Sequence, residues 1–237
     1  MTIPTSREAA LQGAKNGAPF ILVLLPFAVL FGVLANQAGL TISSTMGFSV
    51  LVIAGSAQFA ALQLLTQDAA VPLILLASLS VNLRMAMYSA SLVPHLGKAP
   101  LWQRALVAYL NFDQSFAVSS AKFEQEPAWP PTIKAAYFLG VAIPLALIWY
   151  AMTLLGVMVG TSIPADWGLD FILPITFIGL FAPMLKTLAH LAAAFVSVVV
   201  ALVFAGLPSG MGVLIAAGCA MIVGVTVELW TERRLAR

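Results

Sequence analysis

The chain has 237 residues, of which only 8% are charged and 61% are hydrophobic. Soluble domains carry about 25% charged residues, so this composition excludes a water-soluble globular protein. Apolar segments of bilayer length recur from Ala18 onward, and such segments predict transmembrane helices. We therefore predict an all-α fold, a polytopic transmembrane helical bundle that forms a single domain over residues 1–237.

The charged residues and the cysteine exclude several functional classes. The formal net charge is only +2, which bears on orientation in a bilayer and does not indicate a nucleic-acid partner. Cys219 is the one cysteine, so internal disulfides and cysteine-based metal clusters are excluded. No nucleophile elbow or phosphate-binding loop occurs. We predict a protein that is not an enzyme and holds no cofactor or metal.

Seven apolar segments fit the thickness of a bilayer. We predict them as helices over Ala18–Leu40, Ser44–Thr66, Ala69–Leu92, Ala135–Gly160, Leu169–Leu185, Leu188–Leu207 and Gly210–Trp230. A further segment, residues 101–123, is long enough to cross but carries Arg104, Asn111 and Asp113. It is either a re-entrant element or an eighth helix that faces the bundle interior.

The basic residues bear on this choice, because cytoplasmic loops are rich in Lys and Arg. With the C-terminal arginines inside, seven spans place the basic residues of segment 98–134 in the cytoplasm but leave Arg7 and Lys15 outside. An eighth crossing brings Arg7 and Lys15 inside and moves Lys98 outside. Each model leaves two clear violations of this rule; we favour seven spans and leave eight open.

A weak internal repeat appears at a shift of 118 positions, which pairs Phe20 with Phe138 and Pro26 with Pro144. It predicts two three-helix repeats, residues 18–92 and 135–207, followed by a last helix. Repeats of three spans must be inverted relative to one another, a construction frequent in transporters. Prolines inside the apolar segments are candidate helix breaks, namely Pro26, Pro144 and Pro174.

Two segments bring polar side chains into hydrocarbon. The predicted helix Ser44–Thr66, the second of the seven, contains Ser56, Gln58 and Phe59 within a run of small residues. This pattern favours either helix packing or a pathway for a zwitterion. The third predicted helix, Ala69–Leu92, contains Asn82 and Arg84. Both segments are therefore candidates for a substrate site.

Arg84 stands near the middle of its segment, where a cation costs roughly 2.5 to 3.5 kcal/mol. Ser80, Arg84 and Tyr88 form one stripe at helical spacing. Asp113 is the predicted partner of Arg84, and Tyr109 shares its face if segment 101–123 is a continuous helix. Two alternatives to this pairing remain open. Arg84 could extend to the membrane interface, and Asp113 could lie on a cytoplasmic loop.

The chain resembles the AzlC family, the large subunit of branched-chain amino acid exporters. The resemblance rests on a proline-containing first span ending in Phe31-Gly32, then on Ala54-Gly55-Ser56-Ala57-Gln58-Phe59, Asn82-Leu83-Arg84, Tyr88-Ser89-Ala90-Ser91 and Asp113. Relatives usually have an acid after Asp113, where this chain has Gln114. That departure argues against a two-acid proton relay here.

The resemblance implies export of valine, leucine, isoleucine and in some relatives methionine from the bacterial cytoplasm, driven by the proton motive force. It also implies a small AzlD-type membrane subunit as partner. From the residues, we expect the substrate carboxylate at Ser56, Asn82 or Arg84 and its ammonium at Gln58 or Asp113. Phe59 would receive the branched side chain.

Two other functions fit the same pattern. One is a membrane scaffold in which the polar motifs only pack helices, and the other is a channel for a small solute. Alternating access between the two repeats is the mechanism predicted for an exporter in the cytoplasmic (inner) membrane of a bacterium.

Overall fold

A computed structural model of the chain describes residues 3–160, 185–206 and 211–235. These residues are almost entirely helical and include no strand. The helices, numbered in chain order, are α1 (Ser6–Gly17), α2 (Ile21–Gln37), α3 (Ile42–Leu51), α4 (Gly55–Thr66), α5 (Val71–Leu96), α6 (Leu101–Tyr109), α7 (Asp113–Gln125), α8 (Pro131–Gly160), α9 (Leu188–Val203) and α10 (Met211–Leu235).

Four of the described helical stretches are long and apolar enough to cross a membrane. They are Ser6–Gln37, which joins α1 and α2, and Val71–Leu96, Pro131–Gly160 and Ile215–Arg234. Shorter apolar helices cover Ile42–Leu51 and Leu188–Val203. The chain is thus a multi-pass membrane protein. The predicted span Leu169–Leu185 and Pro174 lie outside the described residues, except for Leu185.

The first helical stretch begins twelve residues earlier than the predicted span. Thr5 caps α1 by accepting a hydrogen bond from the backbone N–H of Glu8, and the Glu8 carboxylate accepts one from the N–H of Thr5. Such a reciprocal capping box satisfies two backbone donors that a helix start leaves unpaired. The polar residues before Ala18 are therefore helical.

The described chain forms two compact units, residues 3–62 with 78–160, and residues 63–77 with 185–206 and 211–235. In the second unit, α9 and α10 pack antiparallel. A Cβ on Gly224 would lie 3.4 Å from the Cβ of Ala193, and one on Gly212 would lie 2.5 Å from the carbonyl oxygen of Phe204. Small residues at such positions let two helices approach closely.

The first unit is built on α8, which runs parallel to α1 and α2. A Cβ on Gly32 would lie 2.2 Å from the carbonyl oxygen of Thr153, and one on Gly156 would lie 2.1 Å from that of Val29. Nearer the N-terminus, Gly13 meets Tyr137 in the same way. Side chains larger than hydrogen would force these backbones apart.

This parallel packing corrects the predicted inverted repeat. The first helices of the two copies, residues 18–92 and 135–207, are α2 and α8. Inverted copies require equivalent helices to run in opposite directions, whereas α2 and α8 run in the same direction along their contact. The prediction is wrong for this pair, and so the copies as defined are not inverted.

The predicted helix breaks at Pro26 and Pro144 are also wrong. Both prolines lie inside continuous helices, α2 and α8. An internal proline removes one backbone hydrogen bond, but the close packing between α2 and α8 holds the rest of each helix in place.

The breaks occur elsewhere, at segments that contain no proline. The predicted span Ser44–Thr66 is interrupted over residues 52–54, and segment 101–123 is interrupted over residues 110–112. We call α3 with α4 hairpin one and α6 with α7 hairpin two. We call residues 50–56 tip one and residues 109–113 tip two.

Hairpin one folds back on itself. Phe48 of α3 and Phe59 of α4 lie 5.9 and 5.6 Å from the ring of Phe31, centroid to centroid. The two rings are therefore no more than about 12 Å apart, whereas eleven residues of uninterrupted helix would separate them by about 16 Å. Trp149 of α8 contacts both arms, through Ser49 and Gly55.

Hairpin two folds back in the same manner from the opposite end of the unit. Its first helix, α6, begins at Leu101, soon after α5 ends, and reaches Tyr150 of α8 at Tyr109. Its second helix, α7, returns Phe123 to the ring of His95 near the end of α5, 5.5 Å away. The same end holds Lys134, 3.3 Å from His95.

The two tips meet about two thirds of the way along α8, at Tyr150. The Tyr109 hydroxyl donates to the carbonyl oxygen of Val50 at 2.7 Å and lies 2.8 Å from the Tyr150 hydroxyl. The elements that are inverted in this structure are thus the two hairpins.

Candidate functional site

Arg84 of α5 bridges the two tips. Its Nη2 lies 3.1 Å from Oδ2 of Asp113, the first residue of α7. The same nitrogen donates to the hydroxyl of Ser56 in the first turn of α4. The predicted pairing of Arg84 with Asp113 is therefore confirmed. One guanidinium joins the starts of two helices, α4 and α7, which run from the site toward opposite ends of the unit.

Tyr88 completes this pair from one turn further along α5. Its hydroxyl donates to the second carboxylate oxygen, Oδ1 of Asp113, at 3.1 Å. The Tyr88 ring stacks on Phe116 of α7, with centroids 4.2 Å apart and planes 8° apart. The predicted stripe on α5 thus places two side chains on one acid, and both oxygens of Asp113 have a donor. We call Ser56, Arg84, Tyr88 and Asp113 the Arg84 cluster.

The Arg84 cluster is half-buried. The side chain of Arg84 is 18% exposed and that of Asp113 is 40% exposed. Helix starts carry partial positive charge from unpaired N–H groups, which stabilises anions there. The position of Asp113 at the start of α7 is favourable for this reason. The arrangement offers a fixed cation, a fixed anion and hydroxyl groups, a set that suits a zwitterion.

Gln58 stabilises tip one through hydrogen bonds within hairpin one. It is fully buried, and its amide nitrogen donates to the carbonyl oxygen of Val52 and, at 3.4 Å, to that of Ser49. These carbonyls lie at the end of α3, where the helix leaves them without backbone partners. Gln58 therefore closes the end of α3, a role that the sequence analysis did not anticipate.

Phe59 lies in an aromatic core behind tip one. It is 1% exposed and meets Phe31 edge to face, with planes 83° apart. Phe31 in turn stacks with Trp149 at 6.4 Å.

Asn82 lies on another face of α5. Two residues of a continuous helix separate it from Arg84, which turns the side chains about 200° apart. Its Oδ1 is buried without a hydrogen-bond partner in the described structure. The site as described does not include Asn82.

Buried polar atoms near the tips still lack partners among the described residues. They are Oε1 of Gln58, Nε of Arg84 and Oδ1 of Asn111. Buried donors and acceptors in proteins are paired in the great majority of cases, with protein, water or ligand. The Arg84 cluster therefore has spare capacity for a ligand carboxylate at Arg84.

The sequence analysis missed the residues that fasten the tips. Tyr109 and Tyr150 join hairpin two to hairpin one and α8. Ser115 donates to the carbonyl oxygens of Leu110 and Phe112, each at 2.8 Å, within tip two. Serine near a helix start is a usable signal for a break. The tyrosines gave no such signal, because their partners are distant in sequence.

Comparison with known proteins places this site in a family. The model of the family described as AzlC protein matches residues 19–163. This chain belongs to the AzlC family. The matched range includes both hairpins and the whole Arg84 cluster, and the expected resemblance is confirmed.

Relatives of the chain are named as membrane proteins. An uncharacterized membrane protein of Archaeoglobus fulgidus is 30% identical over 81% of this chain and 83% of its own length. One from Helicobacter pylori is 26% identical over 81% of this chain and 85% of its own length. The inner membrane protein YgaZ of Escherichia coli is 26% identical over 75% of this chain and 76% of its own length. No solved structure shows a significant match.

Membership of the AzlC family and the apolar helices agree on a multi-pass membrane protein, and the family is consistent with a role in membrane transport.

Proposed function

We propose that the protein is a secondary transporter that exports branched-chain amino acids from the bacterial cytoplasm by alternating access, driven by the proton motive force. The observation that carries this proposal is the ion pair between Arg84 and Asp113, held between the tips of two opposed hairpins. Family membership supports transport, and the chemistry of the pair supports an amino acid as the substrate.

An amino acid fits this pair because it carries the same two charges. Its carboxylate replaces Asp113 on Arg84 and also meets the hydroxyl of Ser56. Its ammonium replaces Arg84 on Asp113. One ion pair becomes two, so no uncompensated charge remains in this half-buried site, where such a charge is costly.

The side chain of the substrate would contact an apolar pocket, which sets the selectivity. Such a pocket separates side chains that differ by one methylene by only about 1 to 3 kcal/mol. Valine, leucine and isoleucine are therefore expected to share the site, and methionine fits the same chemistry. In this proposal Phe59 and Phe31 lie behind the wall of the pocket on the side of tip one.

Alternating access would use the hairpins as the moving parts. Each tip closes the site toward one end of the unit, and the bond from Tyr109 to Val50 holds the tips together. Release of one tip at a time would expose Arg84 to one side of the membrane only. Protonation of Asp113 from the outer side would remove the partner of the substrate ammonium and release the substrate there, and loss of that proton to the cytoplasm would restore the site. Export is then coupled to inward proton movement through one acid.

The basic residues give the orientation. Within the first unit every Lys and Arg except Arg84 belongs to the end where α8 begins: Arg7, Lys15, Lys98, Arg104, Lys122 and Lys134. The opposite end, residues 37–45 between α2 and α3, has no charged residue. Because Lys and Arg concentrate on the cytoplasmic side, we place the start of α8 in the cytoplasm. Hairpin two then enters from the cytoplasm and hairpin one from outside.

The partner in this proposal is a small AzlD-type membrane subunit, as in branched-chain amino acid exporters that the chain resembles. Exposed apolar residues follow one face of α5, including Leu79, Leu83 and Met87. This face is available to lipid or to such a subunit.

Export by proteoliposomes tests the proposal. Vesicles containing the chain and its partner are loaded with labelled valine, and efflux is measured with and without a pH gradient. An exporter loses label faster with the gradient. A scaffold gives no flux, and a channel gives flux that ignores the gradient, so either result would overturn the proposal. Arg84→Gln, which removes the cation of the pair, should reduce this efflux. Arg7→Gln, which replaces an exposed arginine, is its control.

A further inference from the structure

A cavity of about 450 Å³ lies between α5 and α6. We infer that it is a second amino-acid site, a loading pocket through which the substrate reaches the Arg84 cluster from the cytoplasm. The inference rests on the proposed function for its substrate class. Its size is in the range of small-molecule sites, which are concave, mostly apolar and oriented by a few polar groups.

The walls of the cavity are apolar and its inner end is polar. Leu92, Val93, Leu96 and Val107 line the walls. Ser89 and Asn111 line the inner end, where the amide nitrogen of Asn111 donates to the Ser89 hydroxyl at 3.1 Å. A ligand with one apolar side chain and one polar head matches this division.

Asn111 indicates the polar head. It is only 3% exposed, and its Oδ1 is buried with no hydrogen-bond partner in the described structure. An unpaired buried acceptor is costly, so this oxygen needs a donor. The ammonium of an amino acid supplies donors. The acyl chain of a lipid supplies none, which argues against a lipid tail as the occupant.

The position of the cavity links it to the Arg84 cluster. Ser89 follows Tyr88 directly on α5, and Asn111 precedes Asp113 by two residues at tip two. The outer end reaches Gly97, Leu101 and Arg104, at the end of the unit that we place in the cytoplasm. The exposed Arg104 attracts the carboxylate of an approaching amino acid, which then moves inward with its ammonium leading.

Thiol labelling tests the pocket directly. In a Cys219→Ala background, Val93→Cys places a thiol in the cavity wall and Met87→Cys places one on the same helix outside it. Both parent residues are 62% exposed, so the two variants are matched. The rate of reaction with a maleimide is measured on the full chain in nanodiscs, with and without L-leucine. We expect L-leucine to slow labelling at Val93→Cys at least threefold and to leave Met87→Cys unchanged.

Equal rates with and without L-leucine at Val93→Cys would overturn the inference, as would equal slowing at both positions. Protection at Val93→Cys that persists in Asn111→Leu would remove the assigned role of Asn111. Slowing by added anionic lipid alone would assign the cavity to lipid and also overturn the inference. Because valine efflux tests the proposed function without these cysteines, failure of one proposal is distinguishable from failure of the other.

Discussion

The two hairpins meet at Arg84 but are held in different ways. Tip one is tied internally, since the buried Gln58 binds the carbonyls that end α3, and Trp149 and the Phe31 ring pack behind it. Within tip two, Ser115 binds the carbonyls of Leu110 and Phe112. The other described links of the tip are side chains of Tyr109, Asn111 and Asp113 that reach other elements.

The difference separates a fixed half of the site from a movable half. Asp113, the anion of the Arg84 cluster, is 40% exposed, whereas Gln58 is fully buried. Side-chain contacts to other elements can be exchanged for contacts with a substrate, but a buried cap cannot be removed without unfolding the tip. We infer that tip two is released more readily than tip one during transport.

Loss of the shared cation should have the largest effect. In Arg84→Gln, neither tip retains its charged partner, and truncating one member of a buried charge pair costs 2 to 5 kcal/mol or more. We expect valine efflux to fall at least about 30-fold. Arg84→Lys keeps the charge but loses the planar guanidinium that reaches two partners at once. Its valine efflux should therefore lie between that of the parent and that of Arg84→Gln. Parental efflux in Arg84→Gln would remove Arg84 from the site.

Removal of the acid should affect the movable half alone. In Asp113→Asn we expect efflux to fall about tenfold, the size of one lost charged hydrogen bond, and to become independent of the pH gradient. Asp68→Asn, which is exposed, is the matched control. Efflux that still follows the gradient in Asp113→Asn would place the coupling proton elsewhere.

Removal of the buried cap should affect the fixed half through stability. Gln58→Leu leaves the carbonyls of Ser49 and Val52 without a donor, which costs about 1 to 3 kcal/mol. We expect a lower Tm in thermal unfolding of the purified protein. Gln63→Leu, a half-buried glutamine on the same helix, should change the Tm much less. An equal Tm in both variants would contradict the assignment of Gln58 as a cap.

The smallest effect is expected where the tips touch. Tyr109→Phe loses the bonds to Val50 and Tyr150, and neutral hydrogen bonds contribute about 0.5 to 1.5 kcal/mol each. If the contact holds the tips closed, Tyr109→Phe should raise the rate at which a thiol at Ser56→Cys is labelled about threefold. Tyr150→Phe keeps the bond to Val50 and should have less effect. Slower labelling in Tyr109→Phe would show that the contact opens the site.

The sequence sufficed for the membrane class and for part of the site. Low charge and long apolar segments required a bilayer, and the cost of a cation in hydrocarbon required a partner for Arg84, for which Asp113 was the available acid. The i, i+4 spacing of Arg84 and Tyr88 then put both on one face. These inferences depend only on composition and on the geometry of one helix.

The breaks could not be predicted, because the residues that stabilise them are distant or unremarkable in sequence. Prolines suggested breaks at Pro26 and Pro144, where packing between α2 and α8 keeps the helices intact. The actual break at residues 110–112 puts Tyr109 and Asp113 on separate helices, so the face that they would share on one helix does not exist. The direction of α8 relative to α2 depends on glycine contacts that no repeat pattern encodes.

A double-mutant cycle on L-leucine affinity tests most directly whether the two tips form one site. Binding of labelled L-leucine to the purified protein is measured for Ser56→Ala, Asp113→Asn and the double variant. Because both residues contact the same nitrogen of Arg84, we expect their effects to be coupled by more than about 0.5 kcal/mol, as is typical of residues that share a partner. Additive effects within that margin would contradict the account.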